Sequence, residues 1–296
     1  MIKNIIIGET FWDQYEDGSI YLGGAGLNVA WNLRGLGSNI FFVSRVGEDE
    51  MGEKMLHAIE KWGILPTYIQ RDPKNPTGLM KVLMDEQKKP TFITPEVVAF
   101  DYIEYDSRFD YFSNDSIVYF DSFMLRGEST RNALQKIKNK GFSIFMDLNI
   151  RPPYWSHELF DEWVRDLEFF KLSDDEAKIL LKNDQLTIEQ QVEEMKSFMI
   201  ERNINHVFLT LGCNGSYWIH DGQATHVETR EMNAKDTVGA GDAYCAGILF
   251  SYEHGFSMVE SIEKASRFAA EICDVHGATS HDQEFYRKCR ADIWGL

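Results

Sequence analysis

The stretch "DTVGAGDAYCAGILF" (236–250) sets a Gly-Ala-Gly turn between two aspartates, Asp236 and Asp242, and runs directly into an apolar helical segment. Glycines here keep the backbone bare for a close approach. A glycine-rich turn that opens a helix offers unpaired N–H groups and the positive end of the helix dipole. That is an anion site whose charge comes from the backbone, so an acidic chain can own one. Two readings fit the local pattern. The turn is a tight corner with Asp242 as a plain N-cap, or it binds a phosphate with a carboxylate beside it. Other phosphate motifs are excluded. No Gly-x-x-x-x-Gly-Lys-[Ser/Thr] is present. "GAGDAY" (239–244) puts Tyr244 where a dinucleotide fingerprint needs its third glycine, and "GGAGLNV" (23–29) fails that pattern too. No protein-kinase signature occurs.

Outward from the turn, short apolar runs alternate with amphipathic ones. Strands are expected at 4–8, 39–47, 116–121, 142–149, 169–172 and 206–212. Helices are expected at 23–37, 49–63, 128–140, 156–167, 174–182, 187–202, 240–253 and 257–274. Residues 215–228 read as a hairpin turning at Asp-Gly. The alternation predicts a mostly parallel sheet with helices on both faces. The pieces 77–85, 90–95 and 96–103 read as strands with no helix between them, an antiparallel excursion that 14–24 joins.

Composition bounds the function. The chain has 296 residues, 44% of them hydrophobic, and a net charge of −17. That charge argues against binding a nucleic-acid backbone, which needs a Lys/Arg surface. Cys213, Cys245, Cys273 and Cys289 form no Cys-x-x-Cys pair, so free thiols in a reducing, cytoplasmic setting are expected. No apolar run reaches the roughly 18 residues of a membrane span. The eight histidines show no metal-ligand spacing.

Several ordered segments resemble one family. "DTVGAGDAYCAG" (236–247) resembles the C-terminal signature of the PfkB/ribokinase-like carbohydrate kinases, and "GGAGLNVAWNLRGLG" (23–37) resembles their N-terminal one. "VGEDEMGEKM" (46–55), "DLNIRPPYW" (147–155), "KLSDDEAKIL" (171–180) and "LTLGCNGSYW" (209–218) follow the running pattern of the fructokinase-like branch. The resemblance implies a ribokinase-like three-layer α/β/α fold across 1–296 as a single domain, with a small β lid formed by about 14–22 and 77–103.

It also implies a chemistry. Asp242 becomes the base that takes a proton from a sugar hydroxyl. The N–H groups of Gly239, Ala240, Gly241 and Asp242 hold phosphoryl oxygens. Asp236 shapes the loop, and a monovalent cation such as K⁺ binds beside it in family members. Asp13, Gly24 and Asn28 become sugar contacts, and Arg151 a substrate-contacting arginine. Lys171, Thr210, Gly212 and Ser266 fall on nucleotide-site positions, with Gly239 and Gly241. The family's Asn-x-x-Glu motif, which supports Mg²⁺, reads Ser173-Asp174-Asp175-Glu176. Glu176 fits, through water; Ser173 replaces Asn. Both also suit a helix capping box. The expected activity is ATP-dependent phosphorylation of a sugar, fructose first. 2-Dehydro-3-deoxygluconate kinase and ribokinase-type activity are the alternatives, and a non-catalytic sensor on the same fold is the alternative outside enzymes. The lid is expected to cover the sugar or to form a homodimer face.

Overall fold

The computed structural model describes residues 3–84, 90–113, 115–229 and 236–296. Its main sheet has nine strands. In chain order these are β1 (Asn4–Ile7), β4 (Ile40–Gly47), β5 (Ile69–Asp72), β8 (Ile117–Asp121), β9 (Ser143–Asp147), β10 (Leu167–Ser173), β11 (Ile204–Thr210), β12 (Ser216–His220) and β13 (Gln223–Val227). They lie side by side as β13-β12-β11-β10-β9-β8-β1-β4-β5. All neighbours from β11 to β5 run parallel, and the β12–β13 hairpin closes one edge antiparallel. Every residue of β1 and β8 is buried, as expected of central parallel strands covered on both faces.

Side chains alternate across the sheet and meet two separate cores. Ile6 packs on one face, and Ile5 and Ile7 on the other. The first face is covered by α1 (Ala25–Leu36), α2 (Glu50–Lys61), α7 (Ala240–Glu253), α8 (Met258–Cys273) and α9 (Gln283–Cys289). The second is covered by α3 (Glu128–Lys138), α4 (His157–Asp161), α5 (Asp174–Leu180) and α6 (Ile188–Arg202). This is the expected three-layer α/β/α arrangement. α7 packs against both α1 and α8 and buries Ala243 through Ser251 without a break. That explains why its sequence shows little amphipathic pattern.

A second sheet of four strands is ordered β3-β2-β6-β7, from β2 (Phe11–Tyr15), β3 (Ile20–Gly23), β6 (Gly78–Met84) and β7 (Pro90–Ile93). It occupies the expected excursion, with two corrections. β2 and β6 pair parallel, so the sheet is mixed. Residues 96–103 form no strand. Ala99–Tyr102 wind into a 3-10 turn, because Asp101 accepts the Val98 N–H and is clamped by Arg126 at 2.8 Å. Positions 85–89 of the expected 77–103 excursion lie outside the described residues.

Two further differences concern helices. The helix expected at 156–167 ends at Asp161; Asp166 takes a left-handed backbone (φ 54°) and turns the chain so that Leu167 already belongs to β10. α9 and the π-helical turn Arg290–Trp294 extend the core beyond 274, with Tyr286 and Trp294 buried. Cys213 is exposed, the other three cysteines are buried, and all are free thiols.

Candidate active site

Open parallel sheets bind ligands at the carboxyl ends of their strands. Here that edge is a row of polar groups. Glu9 follows β1, and Asp121 ends β8. Asp147 ends β9, with Asn149 and Arg151 just beyond it. Lys171 and Ser173 close β10, and Thr210 closes β11. The helices α1 and α7 both start at this edge.

Neither start is capped by the side chain of its own N-cap residue. α1 begins at Gly24, whose φ of 115° suits glycine, and no side chain caps it from that position. Glu9 reaches across instead, and its Oε1 accepts the Ala25 N–H at 2.6 Å. α7 begins at Gly239 in the left-handed region (φ 78°), again without a side-chain cap. Ala240 N–H turns back to the Thr237 carbonyl at 3.3 Å, and Ala243 N–H bonds Gly239 O. The N–H groups of Gly239, Gly241 and Asp242 meet no acceptor among the described residues. Three of the four N–H groups expected to hold phosphoryl oxygens are thus unused, and Ala240 is partly used by the turn. Asp242 therefore does not act as the plain N-cap.

The two starts touch. Asn28, one turn into α1, donates its Nδ2–H to Asp242 Oδ2 at 2.8 Å. Burial lifts the Asp242 carboxyl above the ordinary aspartate range, and the Asn28 bond, Lys171 and Arg151 pull against that. Asp236 differs from its sequence twin. Its Oδ1 accepts the Val238 N–H and its Oδ2 the Gly277 N–H, both at 3.0 Å, so it holds the loop in shape.

Asp13 lies on β2, beside Gly23, where any Cβ would collide with Asp13 Oδ2. Its Oδ1 is buried with no hydrogen-bond partner among the described residues, and burial pushes its carboxyl up to about 7. Pairing register puts Asp13, Tyr15 and Tyr21 on one face of the small sheet. Arg151 is exposed, and the sole hydrogen bond of its guanidinium among the described residues is a 3.5 Å contact with the Ile150 carbonyl. Its charge bears on Glu9, Asp121 and Asp242. It forms no ion pair among the described residues, unlike a plain surface salt bridge.

The remaining expected residues are more occupied. Lys171 is 7% exposed and is paired with Asp147. Thr210 Oγ1 donates to Leu172 O at 3.3 Å, Gly212 lies exposed in the turn after β11, and Ser266 is buried on α8. Glu176 completes the capping box: its Oε2 accepts Ser173 N–H and Oγ–H, while Oε1 accepts Ile150 N–H at 2.8 Å. No group of three or more metal-ligating side chains occurs among the described residues.

Four site groups escaped the sequence reading: Glu9, Asp121, Asp147 and Asn149. Glu9 and Asp121 are 2% and 1% exposed. Burial lifts both carboxyls, and the Glu9 charge lifts Asp121 further. Asn149 Nδ2–H donates to Asp121 Oδ2 at 2.7 Å. The signal for Asp121 and Asp147 was an acid ending an apolar strand run, in "VYFD" and "IFMD".

A carboxylate beside a helix start with unused N–H groups fits a phosphotransferase with an alcohol acceptor. The chain belongs to the pfkB family of carbohydrate kinases, whose family profile matches residues 8–284. A fructokinase of Klebsiella pneumoniae is 27% identical over 257 residues, covering 82% of this chain and 82% of the relative. A deoxyribokinase of Salmonella typhimurium is 23% identical over 257 residues, covering 84% of this chain and 80% of the relative. Among solved structures, Vibrio cholerae fructokinase with fructose, ADP and calcium ion bound superposes with a TM-score of 0.83 at 22% identity, covering 97% of this chain and 98% of that one. That likeness shows the ribokinase-like fold.

Proposed function

We propose that this kinase transfers the γ-phosphoryl group of ATP to a hydroxyl of a neutral sugar, fructose first, with Asp242 as base. The observation that carries the reading is the Asn28–Asp242 hydrogen bond, which joins the sugar signature to the anion turn. Asp242 takes the hydroxyl proton, and its lifted carboxyl suits a base working near neutral pH. The N–H groups of Gly239, Gly241 and Asp242 face the charge that shifts during transfer. ATP supplies the phosphoryl group and Mg²⁺ neutralises its oxygens. The bare α7 start fits the triphosphate. The lack of a metal-ligand cluster among the described residues fits an ion held by phosphates and water, with Glu176 reaching it through water.

Asp13, with an unpartnered buried oxygen, accepts from sugar hydroxyls. The small sheet closes over the sugar as a lid, presenting Asp13, Tyr15 and Tyr21, and excludes water. Neutral sugars are favoured over 2-dehydro-3-deoxygluconate because the buried carboxyls of Glu9 and Asp121 act on each other at this end of the edge, with Arg151 the guanidinium whose charge bears on both. The run at 77–103 resembles the fructokinase branch, as does the Klebsiella relative.

The test is sugar-dependent ADP release with fructose, deoxyribose, ribose and 2-dehydro-3-deoxygluconate, with Asp242→Asn alongside. Fructose should give the highest kcat/KM, and Asp242→Asn should lose about 10²–10⁴-fold. Release of ADP with none of these sugars, or near-wild-type turnover by Asp242→Asn, refutes the reading.

A further inference from the structure

Lys171 reaches from β10 to the underside of the first turn of α7. A Cβ placed on Gly241 would lie 3.1 Å from its Nζ. That ammonium donates to both oxygens of Asp147, at 3.0 and 3.2 Å. Asp147 is 1% exposed and Lys171 7%. Cys245, one helical turn beyond Gly241, donates its thiol to Asp147 Oδ2 at 3.6 Å. The ammonium therefore sits beside the start of α7 and the carboxylate one turn deeper. The pair is a dipole parallel to that of the helix, positive end toward the turn.

We propose that Asp147 is a positioning residue that pins the Lys171 ammonium beneath Gly241, so that the ion pair forms a fixed cationic floor under the anion turn. The inference rests on the kinase reading above. It changes the meaning of Gly241: the residue is bare on its inner side because an ammonium occupies that space. It also changes the role of Lys171, which acts on the bound anion as a held charge, its Nζ anchored by two hydrogen bonds to Asp147.

The surroundings support a charge kept in place. Burial disfavours the Lys171 ammonium, but Asp147 and its acidic neighbour Glu176 outweigh burial and hold it above the ordinary lysine range. Burial lifts Asp147 to about 6, still ionised at neutral pH, with Lys171 opposing the lift. A buried ion pair is weak support for stability, since well-packed apolar residues serve as well or better. A merely structural pair should thus be replaceable without functional loss.

The experiment uses the full chain and five variants: Asp147→Asn, Lys171→Met, the double Asp147→Leu/Lys171→Met, Gly241→Ala, and the double Gly241→Ala/Lys171→Met. Thermal melts, ADP affinity by calorimetry, and steady-state kinetics are measured on each. The floor predicts that the double variant keeps a Tm near wild type while kcat falls about 100-fold. Asp147→Asn, which removes the counter-charge but keeps the shape, should lower kcat more than it raises KM for ATP. Gly241→Ala crowds the ammonium and must shift it by a few tenths of an ångström, so its ADP-affinity loss and that of Lys171→Met should combine to less than their product. A double variant with wild-type Tm and wild-type kcat overturns the proposal. So do losses at Gly241 and Lys171 that simply multiply. If the double variant does not fold, the kcat-against-KM split of Asp147→Asn and the ADP-affinity cycle decide. A protein inactive on every sugar refutes the kinase reading, whereas the affinity cycle still tests the floor.

Discussion

Removing the Asn28 amide is the sharpest probe of how Asp242, the proposed base, is tuned. Burial is the largest influence on Asp242 and favours its protonated form; the Asn28 bond is the largest influence against it, ahead of Lys171 and Arg151. In Asn28→Ala the carboxylate loses a donor at 2.8 Å in a site where the asparagine is only 8% exposed. A hydrogen bond to a charged group contributes about 1.5–3 kcal/mol. Losing it favours the protonated carboxyl by that amount, and only the ionised form can take a proton. The acid limb of the kcat/KM profile must therefore move to higher pH. At a fixed pH on that limb the rate should fall about 10- to 100-fold, at one decade per 1.4 kcal/mol. Raising the pH restores this part of the loss and leaves the deficit from the missing sugar contact. Asn28→Asp places a second carboxylate against Asp242 and should move the limb further the same way. The assay is sugar-dependent ADP release at saturating ATP, from about pH 5 to about pH 9. An acid limb that stays put in Asn28→Ala, or moves to lower pH, refutes the argument.

Two further outcomes follow from geometry. A Cβ on Gly26 would lie 2.4 Å from the Gly8 Cα, so Gly26→Ala must push α1 off β1; we expect about 1–3 kcal/mol of destabilisation by urea titration, with reduced kcat because Asn28 rides on α1. An unchanged urea midpoint would contradict the contact. His206 stacks on Phe169 and accepts the Trp218 indole N–H, and burial, with the neighbouring His220, pushes it down to about 4. The unfolded chain binds this proton first, so stability is lost as pH falls from about 6.5 toward about 4, by about 2 kcal/mol after allowing for partial exposure. Thermal melts at neutral pH and near pH 4.5 should show a smaller Tm loss in His206→Phe than in wild type; equal losses would contradict it.

Much of this architecture is legible in the residue pattern, and the failures have physical causes. The strands of the main sheet announce themselves because parallel strands buried on both faces need unbroken apolar runs such as "NIII" and "IVYF". The turn at 236–242 is equally plain, because only glycine leaves a helix start bare. The 96–103 segment misled because "VVAF" has strand composition while Asp101, paired with a distant Arg126, winds it into a turn. Long-range pairing of that kind has no local signature. The same holds for Asp147: nothing near "FMDLN" says that a lysine 24 residues on will reach it. Glu9 was hidden by a different effect. The acid in "GETF" (8–11) looks solvated until α1 arrives to be capped by it.

The Asn28–Asp242 bond spans 214 residues of chain. A ribosome makes the N-terminal member early and the other near the end. Until α7 emerges, the face of α1 that packs against it, rich in buried residues from Ala25 to Leu33, has nothing to cover it. Contacts of such separation also close late in folding. A nascent or prematurely terminated chain that stops before residue 236 lacks both Asp242, the proposed base, and the Gly-Ala-Gly turn. Such a fragment has nothing with which to spend nucleotide, and its uncovered α1 face exposes apolar surface that protein quality control can engage.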